Sequence, residues 1–216
     1  MIQLAGVSKS FDTKDGSKIV LSNVNCKIAK GERIGIIGIN GAGKTTLVRI
    51  IAGILGPDSG KIIKQMRVSW PVGYTGGFNN NISALDNIKF ISRIYNRDYR
   101  HVMEFVKEFS ELKDDLSEPL SNYSSGMRAR LNFSLLMAID FDCFLIDELL
   151  SVGDAKFRMK CDKEIITNRA NRGMVMVSHN DQLISKYCSR AYVLYNRTLC
   201  PFDNVPEALK FYYGTN

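Results

Sequence analysis

The chain has 216 residues, 45% hydrophobic and 24% charged, with a formal net charge of +7. That length supports one large domain, or one domain with an inserted lobe, and the apolar content suffices for a core and argues against disorder. No apolar run approaches a membrane span, and Met1 to Gly6 lacks a basic-then-apolar signal pattern, so the expected location is the cytoplasmic side.

In chain order, residues 2–7 and 19–30 read as strands, with Val24, Cys26 and Ile28 alternating with polar residues. Lys30-Gly31-Glu32 makes a turn into a buried strand at 33–37, and a helix runs from Thr46 to Ala52. Gly56-Pro57-Asp58-Ser59-Gly60 is a turn by composition, leading to a strand at 61–68. Residues 71–81 are rich in glycine and asparagine and read as irregular. From about 82 to 136 the period turns helical, with Ile88, Ile91, Ile94 and Tyr95 on one face and Val102, Phe105, Val106 and Phe109 on another. Apolar strands at 144–146 and 174–177 flank a helix near 155–170, and a strand at 191–195 and a helix at 206–213 follow. Strands alternating with helices predict an α/β fold with a mostly parallel sheet, and the helical block predicts a lobe inserted into it.

The stretch from Gly38 to Thr45 reads G-x-x-x-x-G-K-T between a strand and a helix, the context in which that pattern grips phosphate. Glycines let backbone N–H groups close around phosphate oxygens, and the helix N-terminus adds partial positive charge. Lys44 can reach terminal phosphates, and the Thr45 hydroxyl can hold Mg²⁺. The strand at 143–146 runs into Asp147 and Glu148. Beside the loop, Asp147 would support the ion and Glu148 could polarise an attacking water. Val175 to Val177 lead into Ser178 and His179 on the same sheet edge, where His179 can bond a γ-phosphate. His101 reads as structural. Tyr123-Ser124-Ser125-Gly126-Met127-Arg128 precedes an apolar helix and is either a second anion site or an N-capping turn.

Five cysteines, with no C-x-x-C pair, read as buried reduced thiols. The basic residues Lys156, Arg158, Lys160, Lys163, Arg169 and Arg172 read as a solvated helix face, with anionic lipid or nucleic acid as the alternative.

Together these residues resemble the ATP-binding cassette ATPases, in the order phosphate loop, signature, Asp-Glu strand, histidine. Tyr123 to Met127 resembles the signature L-S-G-G-Q with three departures, and Ser151-Val152-Gly153-Asp154 sits at the S-A-L-D position. The resemblance implies one nucleotide-binding domain over 1–216, a P-loop NTPase core (1–81 and 137–216) with an antiparallel β subdomain, and a helical subdomain (82–136). It implies ATP and Mg²⁺ as cofactors. Gly38, Asn40, Gly41, Ala42, Gly43, Lys44, Thr45 and Thr46 would cradle phosphates, and Phe11 would stack on adenine. Lys44, Glu148 and His179 would carry catalysis, and Thr45 and Asp147 the metal. Ser124, Ser125 and Gly126 would act in trans in a head-to-tail homodimer.

Ser69-Trp70-Pro71, Gly76-Gly77-Phe78 and Val152-Gly153-Asp154 narrow the resemblance to ATP-binding subunits of Gram-negative capsular polysaccharide exporters of the polysialic acid type. That implies an integral membrane permease as partner, no nucleic acid, and a peripheral position on the cytoplasmic face of the inner membrane. The family's glutamine between loop and lobe is missing from residues 66–130, where Asn79 is the nearest amide, and Leu149 replaces the proline after Asp-Glu. Three other readings stand beside it: a soluble cassette ATPase acting on DNA or ribosomes, a P-loop small-molecule kinase, and a cassette exporter ATPase for another substrate. The first lacks a coiled-coil insert or second cassette, and the second has no use for a signature.

Overall fold

The structure, a computed structural model, describes residues 1–14, 16–72, 74, 77–147, 154–178 and 180–215. It divides into two units: Met1–Pro71 with Asp142–Glu148 and Ala170–Asn216, and Val72–Phe141 with Leu149–Arg169.

The first unit holds two sheets. Strands β1 (Ile2–Thr13), β2 (Gly16–Ile28) and β4 (Ser59–Lys64) form an antiparallel sheet in the order β2-β1-β4. Strands β3 (Arg33–Ile37), β5 (Val68–Pro71), β6 (Cys143–Asp147), β7 (Gly173–Val177), β8 (Arg190–Tyr195) and β9 (Thr198–Phe202) form the second, in the order β5-β6-β7-β3-β8-β9. This sheet is parallel from β5 to β8, and only β9 runs antiparallel. The mostly parallel sheet is as the alternation of strands and helices predicts, and the antiparallel companion is as the resemblance implies.

β3, β6 and β7 are continuous apolar runs because helices cover both faces of a parallel sheet. β3 lies between β7 and β8, so the loop that follows it emerges at mid-sheet. Helix α1 (Lys44–Ala52) buries Leu47, Val48, Ile50 and Ile51 against a core that includes Ile34, Ile36, Leu145 and Val175. Helix α6 (Asp181–Tyr187) approaches β3 closely, and a Cβ on Gly35 would lie 2.5 Å from Ile184 Cγ2. Helix α7 (Val205–Thr215) follows β9.

The second unit is helical. Helices α2 (Ala84–Ile94) and α3 (Tyr99–Ser110) start on Ser83 and Asp98, whose side chains accept from Asp86 N and His101 N. Ile88, Ile91, Val102, Val106 and Phe109 are buried, but Ile94 is exposed, because at roughly 100° per residue it falls about a quarter-turn from the middle of the face formed by Ala84, Asn87, Ile88 and Ile91. Phe109 stacks on Phe105 and Phe133 and meets Phe157 edge-on, tying α3 to helices α4 (Ser125–Ile139) and α5 (Ala155–Lys163). The helix expected to 170 becomes a π-turn at Glu164–Asn168.

Three expectations need correction. The strand expected at 61–68 is two strands in different sheets, β4 and β5. The chain crosses between them at Gln65 to Arg67, where Gln65 N bonds Met1 O and Arg67 O receives Asp142 N and Cys143 N. Nothing in Lys64-Gln65-Met66-Arg67 punctuates that crossing, since there is no Gly or Pro. The strand expected at 2–7 extends to Thr13, because residues 9–13, mostly polar, pair with 16–21 across a hairpin. β9 goes unseen because its turn, Asn196-Arg197, takes positive φ at both residues without the glycine that usually announces it.

All five cysteines are free, and burial pushes the Cys143 and Cys188 thiols up to about 12. Lys156 and Lys160 pair with Glu111, Arg169 with Asp140 and Glu164, and Arg172 with Asp142. The solvated-face reading fits Lys156, whereas Arg169 is largely enclosed and pairs with the buried Glu164.

Gly35→Ala should lower stability by about 1–3 kcal/mol, the usual cost of an overpacked core. Urea unfolding followed by circular dichroism reads it, and an unchanged midpoint would show that α6 does not pack on β3 as described.

Candidate functional site

The loop from Gly38 to Gly43 closes on itself around one ammonium group. Lys44 is 7% exposed, and its Nζ donates to Gly38 O at 2.7 Å and Ile39 O at 2.9 Å. A buried charge needs such partners, and here they are the loop's own carbonyls. Gly41 and Gly43 take φ of 80° and 107°, which glycine adopts at no steric cost. A Cβ on Gly43 would lie 2.6 Å from Val20 Cγ1, so only glycine lets the loop lie against β2. Helix α1 starts without a side-chain cap. Its first-turn N–H groups therefore face the loop with the helix dipole behind them, an arrangement that binds anions.

A cleft of about 450 Å³ opens over this loop. It is lined by Phe11, Asn40, Gly41, Gly43, Lys44, Thr45, Thr46 and Asp147, all chosen from the sequence. Gly38 lies beneath it as an acceptor for Lys44, and Ala42 lines a neighbouring recess with Leu194 and Tyr195. Lys18 and Val20 also line the cleft but escaped sequence reasoning. Lys18 stands directly across the hairpin from Phe11, a fact that only the register reveals.

Thr45 and Asp147 bring two hard oxygen donors to this cleft. Among the described residues no group of three or more His, Cys, Asp or Glu could hold a metal. This donor set suits Mg²⁺, which keeps several waters and takes phosphate oxygens in place of an all-protein cage. β6 and β7 end level, with Asp147 opposite Val177. Glu148, Leu149, Ser151, Val152, Gly153 and His179, and Gly76 of the irregular stretch, lie outside the described residues.

The signature segment belongs to the second unit. Ser124 is the N-cap of α4, and its Oγ accepts from Met127 N at 3.2 Å, so the capping reading is realised in this structure. Ser125 and Gly126 form the first turn. Among the described residues a Cβ on Gly126 would meet Ser124 Oγ alone, at 3.8 Å, so their packing does not require glycine there. Tyr123, at the family's leucine position, is buried and donates to Asp115 O at 2.7 Å. Arg128 donates to Tyr123 O and to Asn80 Oδ1.

Asn79 closes its own turn, its Oδ1 accepting from Asn81 N at 2.9 Å. The buried Asn87 accepts from Asn79 N and donates to the carbonyls of Asn79 and Ser83. Asn87 thus organises the loop, a role hidden in the sequence because asparagine inside a helix usually faces solvent. Asp154 caps α5 through Phe157 N and pairs with Arg130.

Residues 21–151 match the family described as ABC transporter. The chain is 44% identical over 215 residues to the ATP-binding protein BexA of Haemophilus influenzae, covering 100% of this chain and 99% of that protein. It is 44% identical to the capsule polysaccharide export ATP-binding protein CtrD of Neisseria meningitidis serogroup B, covering 98% of each. It is also 44% identical to a polysialic acid transport ATP-binding protein, KpsT, of Escherichia coli, again covering 98% of each. The fold matches a dimeric post-hydrolysis structure of the ATP-binding cassette MJ0796 bound to ADP and Pi, with a TM-score of 0.79 at 19% identity over 94% of this chain and 98% of that one.

Lys44→Ala should act twice. It takes the Lys44 donor from the Gly38 and Ile39 carbonyls, of which Ile39 O keeps Ala42 N, costing about 1–3 kcal/mol of stability, and it removes a charge-assisted phosphate contact. Calorimetric titration with ATP should show affinity falling about tenfold or more. Unchanged affinity would refute the loop assignment.

Proposed function

We propose that this chain, which belongs to the ABC transporter family, powers export of a capsular polysaccharide through a separate membrane-spanning partner. The observation that carries the substrate reading is identity to capsule and polysialic acid transport proteins along nearly the whole chain. The chemistry is ATP hydrolysis by the cassette. Among the described residues no helix is long and apolar enough to cross a membrane, and the path for the polymer is assigned to the permease.

At the site, Lys44 and the first turn of α1 hold the terminal phosphates. Phe11 stacks on the adenine at the other end of the cleft. Thr45 and Asp147 would hold Mg²⁺, which when bound neutralises charge on the phosphates. Glu148 accepts a proton from the attacking water, and His179 hydrogen-bonds the γ-phosphate region. Most of the acceleration in such sites comes from positioning and charge neutralisation.

Ser124, Ser125 and Gly126 of a second copy complete the site in a head-to-tail homodimer. The absence, among the described residues, of any packing need for glycine at 126 supports this, since a small residue there leaves room for a ligand from outside the chain. ATP closes the dimer, hydrolysis opens it, and the helical unit carries the motion to the permease. The protein works at the cytoplasmic face of the inner membrane as a peripheral subunit. Nucleic acid is not proposed as a partner: the basic residues Lys156, Lys160, Arg169 and Arg172 are matched by carboxylates.

Glu148→Gln should slow phosphate release by about 10²–10⁴-fold while ATP still binds. The variant should elute as an ATP-loaded dimer in gel filtration and, in cells, leave polymer inside rather than on the surface. Normal turnover would remove Glu148 as the base, and surface polymer at wild-type levels would refute the export role.

A further inference from the structure

Phe11 follows a part of β1 that its own sheet does not hold regularly. β1 pairs with β4 only as far as Ser8 opposite Ser59. Its pairing with β2 slips between Lys9–Leu21 and Ser10–Ile19, which leaves Val20 between them. The extra residue makes β2 the bulged strand and interrupts the ladder beside Lys9 and Ser10, just before Phe11.

Asp58, one residue before β4, fills the interrupted edge. Its N–H donates to Ser8 O at 2.9 Å. Its carboxylate accepts from Ser10 N at 2.6 Å and from Ser10 Oγ at 2.7 Å, and its other oxygen accepts from the Lys9 ammonium. The Lys9 bond, followed by the two Ser10 bonds, draws the Asp58 carboxyl down to about 2, so the clamp stays charged at any physiological pH. Lys9 in turn lies over the Phe11 ring, 5.5 Å from its centroid. Gly60 brings the turn into reach: its φ is +80°, and a Cβ there would lie 2.4 Å from Gly6 O.

We propose that Asp58 is a positioning residue for the base end of the nucleotide site, fixing through Ser10 and Lys9 the angle at which Phe11 offers its ring to adenine. Stacking depends on ring geometry, so a strand free to rotate at the slip would lose contact with the base while leaving the phosphate loop untouched. The inference rests on the reading of Phe11 as the adenine platform.

The test is calorimetric titration of the full chain with ATP and, separately, with tripolyphosphate, which has no base. Asp58→Ala should weaken ATP about three- to tenfold and leave tripolyphosphate unchanged. Asp58→Asn, which keeps an acceptor for Ser10, should fall in between, and Lys9→Met should show the same base-specific loss. Phe11→Ala should weaken ATP about tenfold or more, and adding Asp58→Ala to it should cost nothing further. Equal weakening of both ligands by Asp58→Ala and Lys9→Met would overturn the inference in favour of a merely structural turn. Unchanged ATP affinity in those variants, with a loss in Phe11→Ala, would overturn the clamp alone. Unchanged affinity in Phe11→Ala would overturn the platform reading and the clamp with it.

Discussion

A single buried ammonium organises the phosphate end of this molecule. Lys44 sits at the start of α1 and reaches back to the carbonyls of Gly38 and Ile39. Those bonds, with Ala42 N donating to Ile39 O, fold the loop back on itself beside the N-terminus of α1. A charge buried this deeply is tolerable only with such partners. These bonds within the chain give the loop a defined shape.

The rest of the first unit places other groups around that loop. The central position of β3 puts the loop at mid-sheet, and the level ends of β6 and β7 bring Asp147 to the same edge. The antiparallel hairpin supplies the opposite wall. Its slip at Val20 and the glycine at 43 are complementary, since Val20 can press on the loop only where no Cβ stands in the way. Phosphate, metal and base positions therefore come from three separate stretches of chain, the first two carried by the parallel sheet and the third brought against the loop by the packing of Val20 on Gly43.

The second unit shows a different economy. Asn87, Arg128 and Arg130 use side-chain bonds to backbone and loop groups to hold irregular segments still, where regular secondary structure is absent. Such networks rigidify when every member is satisfied. They explain how the signature segment and the 79–83 loop keep defined conformations although neither is helix or strand throughout.

The sequence by itself determined the phosphate loop, the acidic strand end, the apolar strands and the helical lobe, because each depends on contacts within a few residues or on a period of apolar side chains. Glycine spacing, a lysine before a helix, and runs such as Cys143 to Ile146 carry their meaning locally. Tertiary structure alone decided what depends on partners far away in the chain. The crossing at Gln65 to Arg67 was invisible because those residues bond to Met1, Asp142 and Cys143. Lys18 entered the cleft through its register with Phe11, and Asp58 met Ser10 across 48 residues. Hydrogen-bond pairing between distant strands leaves no local mark in either strand, so the sequence names the groups that do chemistry and only the fold sets the angles between them.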